Sequence, residues 1–215
     1  MILPEASAWC YVRTDPDHAN LSNFEALHPL EKVLVSKAVD ARKAEFGDAR
    51  WCAHQVLKDL GYPSTDPILR GQWGMPLWPE GVVGALTHTS GFRAALAAPQ
   101  TQWRAVGIDA EPAQPLPAEI LNSIASPQEQ HWLERLNLEF GDRILFSAKE
   151  ATYKAWFPMT RRWLGFEDAT VDVRSDGTFN TYLLVRPTPV PIMRGQWWVD
   201  HGTLITVVAV PAHGI

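Results

Sequence analysis

Two acidic clusters hold the residues of this chain best suited to chemistry: Ala105-Val-Gly-Ile-Asp109-Ala-Glu111 and Phe146-Ser-Ala-Lys149-Glu150-Ala-Thr-Tyr-Lys154. In the first, Asp109 and Glu111 stand two apart after an apolar run, so on a strand both carboxylates project from one face. In the second, Glu150 and Lys154 stand four apart, so on a helix they share a face with Lys149 on its flank. Three hard oxygen donors with lysines beside them suit a divalent cation and the phosphates it bridges. Taken separately, each cluster has a plainer reading. Asp109 and Glu111 could be a solvated strand end, and Glu150 and Lys154 a surface helix pair of small energetic worth.

The elements that must position these residues follow from periodicity. Residues 29–60 carry a helical pattern, with Leu30, Val33 and Leu34, a charged middle, then Trp51, Val56 and Leu57; Gly47 could divide it into two helices. The cluster Gly61-Tyr-Pro-Ser-Thr-Asp-Pro67 reads as a turn that ends it. Short strands are expected at Leu69, 77–78, 84–87, 93–98 and 104–109. Helices are expected over 117–124, 127–140 and 142–156, the last with Asp142 as N-cap and Pro158 at its end. Strands are then expected over 169–173, 178–185, 196–200 and 204–210, with Asp176-Gly177 as a hairpin turn between the first two. Residues 186–191 form a Pro-rich loop. Mixed helices and short antiparallel strands give an α+β fold class rather than alternating βαβ units. No G-x-G-x-x-G or Walker pattern is present, which disfavours Rossmann and P-loop enzymes.

Bulk composition narrows the partners. With 215 residues, 46% apolar and 20% charged, the chain can bury a substantial core. Ten Trp and 17 Pro suggest an irregular fold with aromatic walls. The net charge of -5 argues against a general affinity for nucleic acid. Cys10 and Cys52 are far apart in sequence and form no C-x-x-C pair, so free thiols are expected rather than a zinc site or a disulfide framework. The segment Met-Ile-Leu-Pro-Glu-Ala at the start lacks a basic region followed by an apolar one, and Leu204 to Val210 is too short to span a bilayer. No membrane partner and a cytoplasmic location are therefore expected.

The two clusters together resemble the signature of the Sfp-type 4'-phosphopantetheinyl transferases, a (V/I)G(V/I)D-x-E segment followed about forty residues later by (F/W)-x-x-K-E-(A/S)-x-x-K. Here Glu150 follows Asp109 at that distance. Further segments match in order: Arg42-Lys-Ala-Glu-Phe46 with Arg50, Ile68-Leu-Arg70-Gly, Gly74-Met-Pro76-Leu-Trp-Pro79, Gly84-Ala-Leu-Thr-His88, and Trp163-Leu-Gly-Phe-Glu-Asp168. They resemble the enterobactin synthetase component D branch, especially its actinobacterial members, over most of the chain from about Leu30 to Val210. Arg70 stands where family members often carry Lys, and Ala85 where Ser is frequent.

The resemblance implies transfer of the 4'-phosphopantetheine arm of coenzyme A to a serine of an apo acyl or peptidyl carrier protein, releasing adenosine 3',5'-bisphosphate. It implies Mg2+, for which Mn2+ could substitute, held by Asp109, Glu111 and Glu150. Glu150 would take the serine proton, directly or through water, with Lys149 and Lys154 beside the metal. Arg42, Arg50 and Arg70 would hold the adenine and 3'-phosphate end, with His88 at the phosphates, and Thr87, Asp109, Lys149 and Lys154 would also contact coenzyme A. Several bases are needed, because a 3'-phosphate alone brings roughly -1.5 to -2 charges to a site already lined by carboxylates. The implied fold is pseudodimeric, with two similar subdomains, 1–103 and 104–215, around one active site, and a monomer is expected. The first would supply most coenzyme A contacts, the second the metal ligands and base. Leu116, Ile120 and Leu121 are proposed to dock the carrier. Trp73, Trp78, Trp156, Trp163, Trp197 and Trp198 are read as core or wall rather than as a base-stacking platform. A metal-dependent phosphohydrolase and a non-catalytic coenzyme A binding protein are the rival readings.

Overall fold

The structure, a computed structural model, describes residues 3–63 and 65–213; Ser64 of the expected turn cluster and the first two residues of the N-terminal segment lie outside these. Helices and strands alternate irregularly, as the α+β reading expects. Three strands, β1 (Ala8–Arg13), β2 (Val82–Thr89) and β3 (Phe92–Pro99), form one antiparallel sheet in the order β1-β3-β2. Five more, β4 (Trp103–Pro112), β5 (Ala169–Val173), β6 (Thr178–Leu183), β7 (Ile192–Asp200) and β8 (Thr203–Pro211), form a second in the order β4-β8-β7-β6-β5. Strands β2 and β4 are thus both sheet edges.

Side-chain alternation along the strands builds layers. Ala95 and Ala97 of β3 face Cys52, Ala53, Val56 and Leu57 of the long helix α3 (Asp40–Asp59), which follows the short helices α1 (Ser22–Glu25) and α2 (Pro29–Val33). Ala94, Leu96 and Ala98 point the other way, onto Val106, Ile108 and Ala110 of β4 and Ile205 and Val207 of β8. The opposite face of the second sheet, with Ala105, Leu204 and Val208, packs against Ile144, Leu145, Ala148, Ala151 and Ala155 of helix α6 (Gly141–Thr160), which follows α4 (Ala118–Ile124) and α5 (Pro127–Leu136). The result is four layers, helix, sheet, sheet, helix, with α3 and α6 on the outside.

Local chemistry explains where the elements stop and turn. Helix α5 opens on a capping box in which Ser126 Oγ accepts from Glu129 N and Glu129 accepts from Ser126 N, with Pro127 at its first position. It closes on Asn137 in the left-handed conformation. The β7–β8 turn places His201 and Gly202 both at positive φ, the pairing a type I′ hairpin requires.

Several expectations need correction. Gly47 does not divide two helices but lies within α3, because a Cβ there would meet the backbone of Phe24, with Phe24 N at 2.5 Å; absence of a side chain lets α1 pack against α3. Leu69 and residues 77–78 form no strand; only an isolated bridge joins Arg70 to Pro76. Strand β1, unmarked in the sequence, pairs with β3 across more than eighty residues of chain. Asp142 is not the N-cap of α6; its carboxylate accepts from Leu116 N at 2.8 Å and from Arg143 N at 2.7 Å. Helix α6 runs through Pro158 to Thr160, because a proline this near the end removes a single backbone bond. Cys10 and Cys52 are free, as expected, yet the fold brings them into one core, where the neighbouring Cys52 thiol holds the Cys10 pKa down.

Candidate active site

The site begins with the approach of α6 to β4. At Gly107 a Cβ would lie 2.0 Å from Ala151 O, so only glycine lets the helix come this close to the strand. Asp109 and Glu111, on the same face of β4 as Gly107, then meet the helix turns carrying Ser147, Glu150 and Lys154. Asp109 is buried: its Oδ1 accepts from Lys154 Nζ at 2.7 Å and from Thr87 Oγ1 at 3.3 Å, and its Oδ2 from Ser147 Oγ at 2.8 Å. Ser147 is itself held by Thr206 of β8, whose Oγ1 lies 2.8 Å from Ser147 Oγ and donates to Ser147 O at 3.0 Å.

Glu111 accepts from Arg143 Nη1 at 2.8 Å, and Arg143 also donates to Gln114 O and Pro115 O, each at 3.1 Å. Burial and nearby Asp109 push the Glu111 carboxyl above the usual range, against the pull of Arg143. Glu150 makes no hydrogen bond or ion pair among the described residues; burial and then Asp109 raise its pKa, Lys154 opposes, and Glu111 adds to the rise. Three carboxylates therefore repel one another around one point of the fold. Among the described residues no three His, Cys, Asp or Glu side chains converge closely enough to enclose a metal as they stand; Lys154 pairs with Asp109 and Arg143 with Glu111. The donor chemistry, three carboxylates with mutual repulsion to relieve, fits a hard divalent cation.

Beside these acids opens a cavity of about 640 Å³, lined by Glu150 and otherwise mainly by basic, aromatic and apolar side chains. Helix α3 contributes Arg42, Glu45, Phe46 and Arg50; the loop before β2 contributes Arg70, Met75 and Trp78; β2 contributes Ala85, Thr87 and His88; and α6 contributes Glu150, Tyr153, Lys154 and Arg161. Arg50 and Arg70 both stand over the Phe46 ring, 5.0 and 5.9 Å from its centroid. Burial, with Arg70 nearby, lowers the Arg50 guanidinium to about 10, against the pull of Glu31. Arg50 Nε and Nη1 and Trp78 Nε1 are buried without a hydrogen-bond partner among the described residues. All three are N–H donors of residues that line one cavity, and buried donors are ordinarily paired with an acceptor.

Arg42 Nη1 lies 3.2 Å from His88 Nε2, and since a guanidinium only donates, that nitrogen accepts. The enclosing protein and then Arg42 push the His88 pKa down, so the ring is neutral near pH 7 even though water reaches its surface. At the mouth, Trp73 and Trp163, 70% and 62% exposed, approach to 5.7 Å between ring centroids, and Arg161 meets Met75 Sδ nearby. Trp163 also packs against Tyr153, with ring centroids 5.2 Å apart.

The fold thus gathers Arg42, Arg50, Arg70, Thr87, His88, Glu150 and Lys154 around one cavity; Asp109 does not line it but is hydrogen-bonded to Thr87 and Lys154, which do, and Glu111 is likewise outside the lining. Thr87 spends its hydroxyl on the protein: it donates to Asp109 and accepts the outward N–H of Ala110 at 3.0 Å, tying the β2 edge to the β4 edge. Lys149 is not brought to the site. Its Nζ turns to the far side of α6, donating to Ile124 O at 2.7 Å, Phe166 O at 2.8 Å and Glu129 Oε2 at 3.1 Å, because Glu129 is buried there and needs a counter-charge. Ser147 and Arg143 were not singled out from the sequence. Both lie on the Glu150 face of α6, three and seven residues before it, so helical spacing could have found them.

Of the docking candidates, Ile120 is exposed, whereas Leu116 and Leu121 pack against the core beneath α6. Trp156 is fully buried, Trp78 lines the cavity, Trp197 and Trp198 pack against the cores, and Trp73 and Trp163 stand at the mouth. Among the described residues no helix is long and apolar enough to cross a membrane.

Comparison with known proteins follows the same two halves. The sequence model of the 4'-phosphopantetheinyl transferase N-terminal domain matches residues 30–98, and that of the 4'-phosphopantetheinyl transferase superfamily matches residues 105–202. The chain is 43% identical to the 4'-phosphopantetheinyl transferase Npt of Nocardia iowensis over 197 residues, covering 85% of this chain and 88% of that protein. It is 41% identical to the 4'-phosphopantetheinyl transferase PptT of Mycobacterium tuberculosis over 201 residues, 84% of each. Enterobactin synthase component D of Salmonella typhi is 29% identical over 177 residues, 78% of this chain and 72% of that protein.

Proposed function

This chain belongs to the 4'-phosphopantetheinyl transferase superfamily, and from that premise we propose how its residues divide the work. As such an enzyme it moves the 4'-phosphopantetheine arm of coenzyme A onto a serine hydroxyl of an apo carrier protein. One new O–P bond forms at the serine, the pyrophosphate P–O–P bridge breaks, and adenosine 3',5'-bisphosphate leaves. The serine proton must go to a base.

The observation that carries the assignment is a cavity with buried, unpartnered N–H donors on one wall and Glu150 and Lys154 on the other. Arg50 and Arg70 receive the 3'-phosphate end of coenzyme A, each able to grip a phosphate with two N–H groups. Arg42 and His88 meet the phosphates nearer the reacting centre, His88 as a neutral donor through Nδ1 since its Nε2 accepts from Arg42. Glu150, without a hydrogen-bond partner and raised in pKa, takes the serine proton. Lys154 offers a positive charge to the pyrophosphate as negative charge moves onto the leaving oxygen. Thr87 positions Asp109 rather than binding coenzyme A directly.

Asp109, Glu111 and Glu150 would hold Mg2+ or Mn2+. Such an ion supplies charge neutralisation of the pyrophosphate when bound. In its absence Lys154 and Arg143 neutralise two of these carboxylates.

We further infer a pseudodimeric arrangement with its boundary near Trp103, supported by the two matched segments and by one sheet with one long helix on either side of the shared core. Residues 1–103 then supply the coenzyme A wall, and 104–215 the acids and the base. Because one chain carries both walls, it works as a monomer, in the cytoplasm where coenzyme A and apo carriers meet. The exposed Ile120 of α4 marks the carrier-docking side.

The test is incubation with coenzyme A, Mg2+ and an apo carrier, followed by mass spectrometry for a phosphopantetheine increment on serine. Glu150→Gln should bind coenzyme A and give no increment. Absence of the increment with the unaltered chain and any of several carriers overturns the transferase reading, and phosphate release without an acceptor would favour a phosphohydrolase.

A further inference from the structure

Behind the basic wall lies a carboxylate that the reaction itself does not use. Glu31, on α2, is 0% exposed, and an ionised carboxylate so buried costs several kcal/mol unless protein groups compensate it. Its partners come from two other segments. His54 Nε2 of α3 donates to its two oxygens at 3.1 and 3.0 Å, and Ile68 N, two residues before Arg70, donates to Oε1 at 3.2 Å. Arg50 Nε stands 3.9 Å from the same Oε1, too far for a hydrogen bond yet close enough for strong attraction at a buried site.

One carboxylate thus ties α2, α3 and the loop into Arg70 at a single point. The two guanidiniums it serves repel each other over the shared Phe46 ring. Without a counter-charge behind them they would move apart while the cavity is empty. With Glu31 in place, Arg50 Nε and Nη1 stay buried without a hydrogen-bond partner in a residue that lines the cavity.

We propose that Glu31 is a positioning residue for the 3'-phosphate subsite of coenzyme A, holding Arg50 directly, and Arg70 through Ile68, in the geometry that receives a dianionic phosphate. The proposal rests on the reading of this cavity as the coenzyme A site. Glu31 touches no substrate, so its loss should appear in binding of the phosphorylated end and not in the chemical step.

The experiment compares coenzyme A with 3'-dephospho-coenzyme A as donors for the full chain and for Glu31→Gln, Arg50→Gln and the double variant. Glu31→Gln should raise KM for coenzyme A by about tenfold or more while leaving kcat within about twofold. KM for the dephospho donor should stay unchanged, because the groups that Glu31 holds have no phosphate to receive. The double variant should be worse than Arg50→Gln by less than Glu31→Gln is worse than the unaltered chain, since only the share carried through Ile68 to Arg70 remains to be lost. Equal rises in KM for both donors, or no rise for either, overturn the inference when Arg50→Gln itself raises KM for coenzyme A selectively. If Arg50→Gln leaves the preference for coenzyme A over the dephospho donor as large as in the unaltered chain, the coenzyme A reading of this wall fails and the inference with it. Should Glu31→Gln not fold, Glu31→Asp keeps the charge and carries the same comparison, with a smaller rise confined to coenzyme A expected and an equal rise for both donors overturning the proposal.

Discussion

Lys154 Nζ lies 2.7 Å from Asp109 Oδ1, joining the acidic strand to the helix that carries Glu150. The ammonium neutralises a carboxylate and lines the cavity proposed to receive the pyrophosphate. Lys154→Met removes that charge at the reacting centre and leaves Asp109 uncompensated. A fall in kcat of about 100-fold is expected from steady-state transfer assays. Retention of near-normal kcat would remove Lys154 from the chemistry.

Lys149 tests the opposite case. Its Nζ and the Glu129 carboxylate form an almost fully buried pair, 3.0 Å at closest approach, away from the cavity. Lys149→Met should destabilise the chain by about 3 kcal/mol, because Glu129 is left buried without its counter-charge. For a chain of this size that lowers Tm by roughly 6 to 12 °C. KM for coenzyme A, measured below the transition, should not change; a selective rise would return Lys149 to the substrate.

Gly107→Ala places a methyl where Ala151 O already stands. Backbone cannot yield as a side chain can, so α6 must lift from β4 and carry Glu150 and Lys154 away from Asp109. A loss of about 1 to 3 kcal/mol in urea unfolding is expected, accompanied by a fall in kcat. Unchanged kcat at reduced stability would mean that the helix moves without disturbing the acids.

His88 gives the chain a pH dependence whose sign is fixed. Its folded pKa is below the ordinary 6.5. As pH falls through 6.5, the unfolded chain therefore takes up this proton first, and stability is lost until the folded pKa is passed. His88→Gln should flatten that part of the stability profile in denaturant titrations between about pH 7.5 and 5. An identical slope in both chains would contradict the shift.

Ile120 is the exposed member of the apolar set proposed to meet the carrier. Ile120→Asp should raise carrier KM by about tenfold, the loss expected when one apolar anchor leaves an interface, with KM for coenzyme A unchanged. An unaltered carrier KM would move the docking surface elsewhere. The same change at Leu121 should instead destabilise the chain, since that side chain packs against the core.

How far the sequence foretold this arrangement depended on whether a residue's environment was local. Asp109 and Glu111 share a face because strand alternation is a property of the segment itself. Glu150 and Lys154 share one for the equivalent helical reason. Lys149 could not be assigned to a side of α6 by spacing, because a residue next to Glu150 is turned about 100° around the helix axis and only the position of Glu129 says what lies there. Gly47 read as a break because its glycine serves a contact with Phe24, more than twenty residues earlier in the chain. Strand β1 was missed although Pro4 stands before it and Asp15-Pro16-Asp17 after it, since its pairing with β3 is remote in the sequence. Glu31 was one charge in a charged stretch until the fold enclosed it.

The seam between the two sheets has a consequence for how such a chain can change over time. Ala85, Ala94, Ala98 and Ala110 face one another there with Leu96, Val106 and Ile108, so small side chains set the spacing between the layers. Strand β2, with His88, rides on one layer, and β4, with Asp109, on the other. One added methyl group in that seam would widen the gap between the basic wall and the acids, altering turnover as well as thermal tolerance. Natural variation at Ala94, Ala98 and Ala110 should therefore be filtered by catalytic rate, although none of these three lines the cavity.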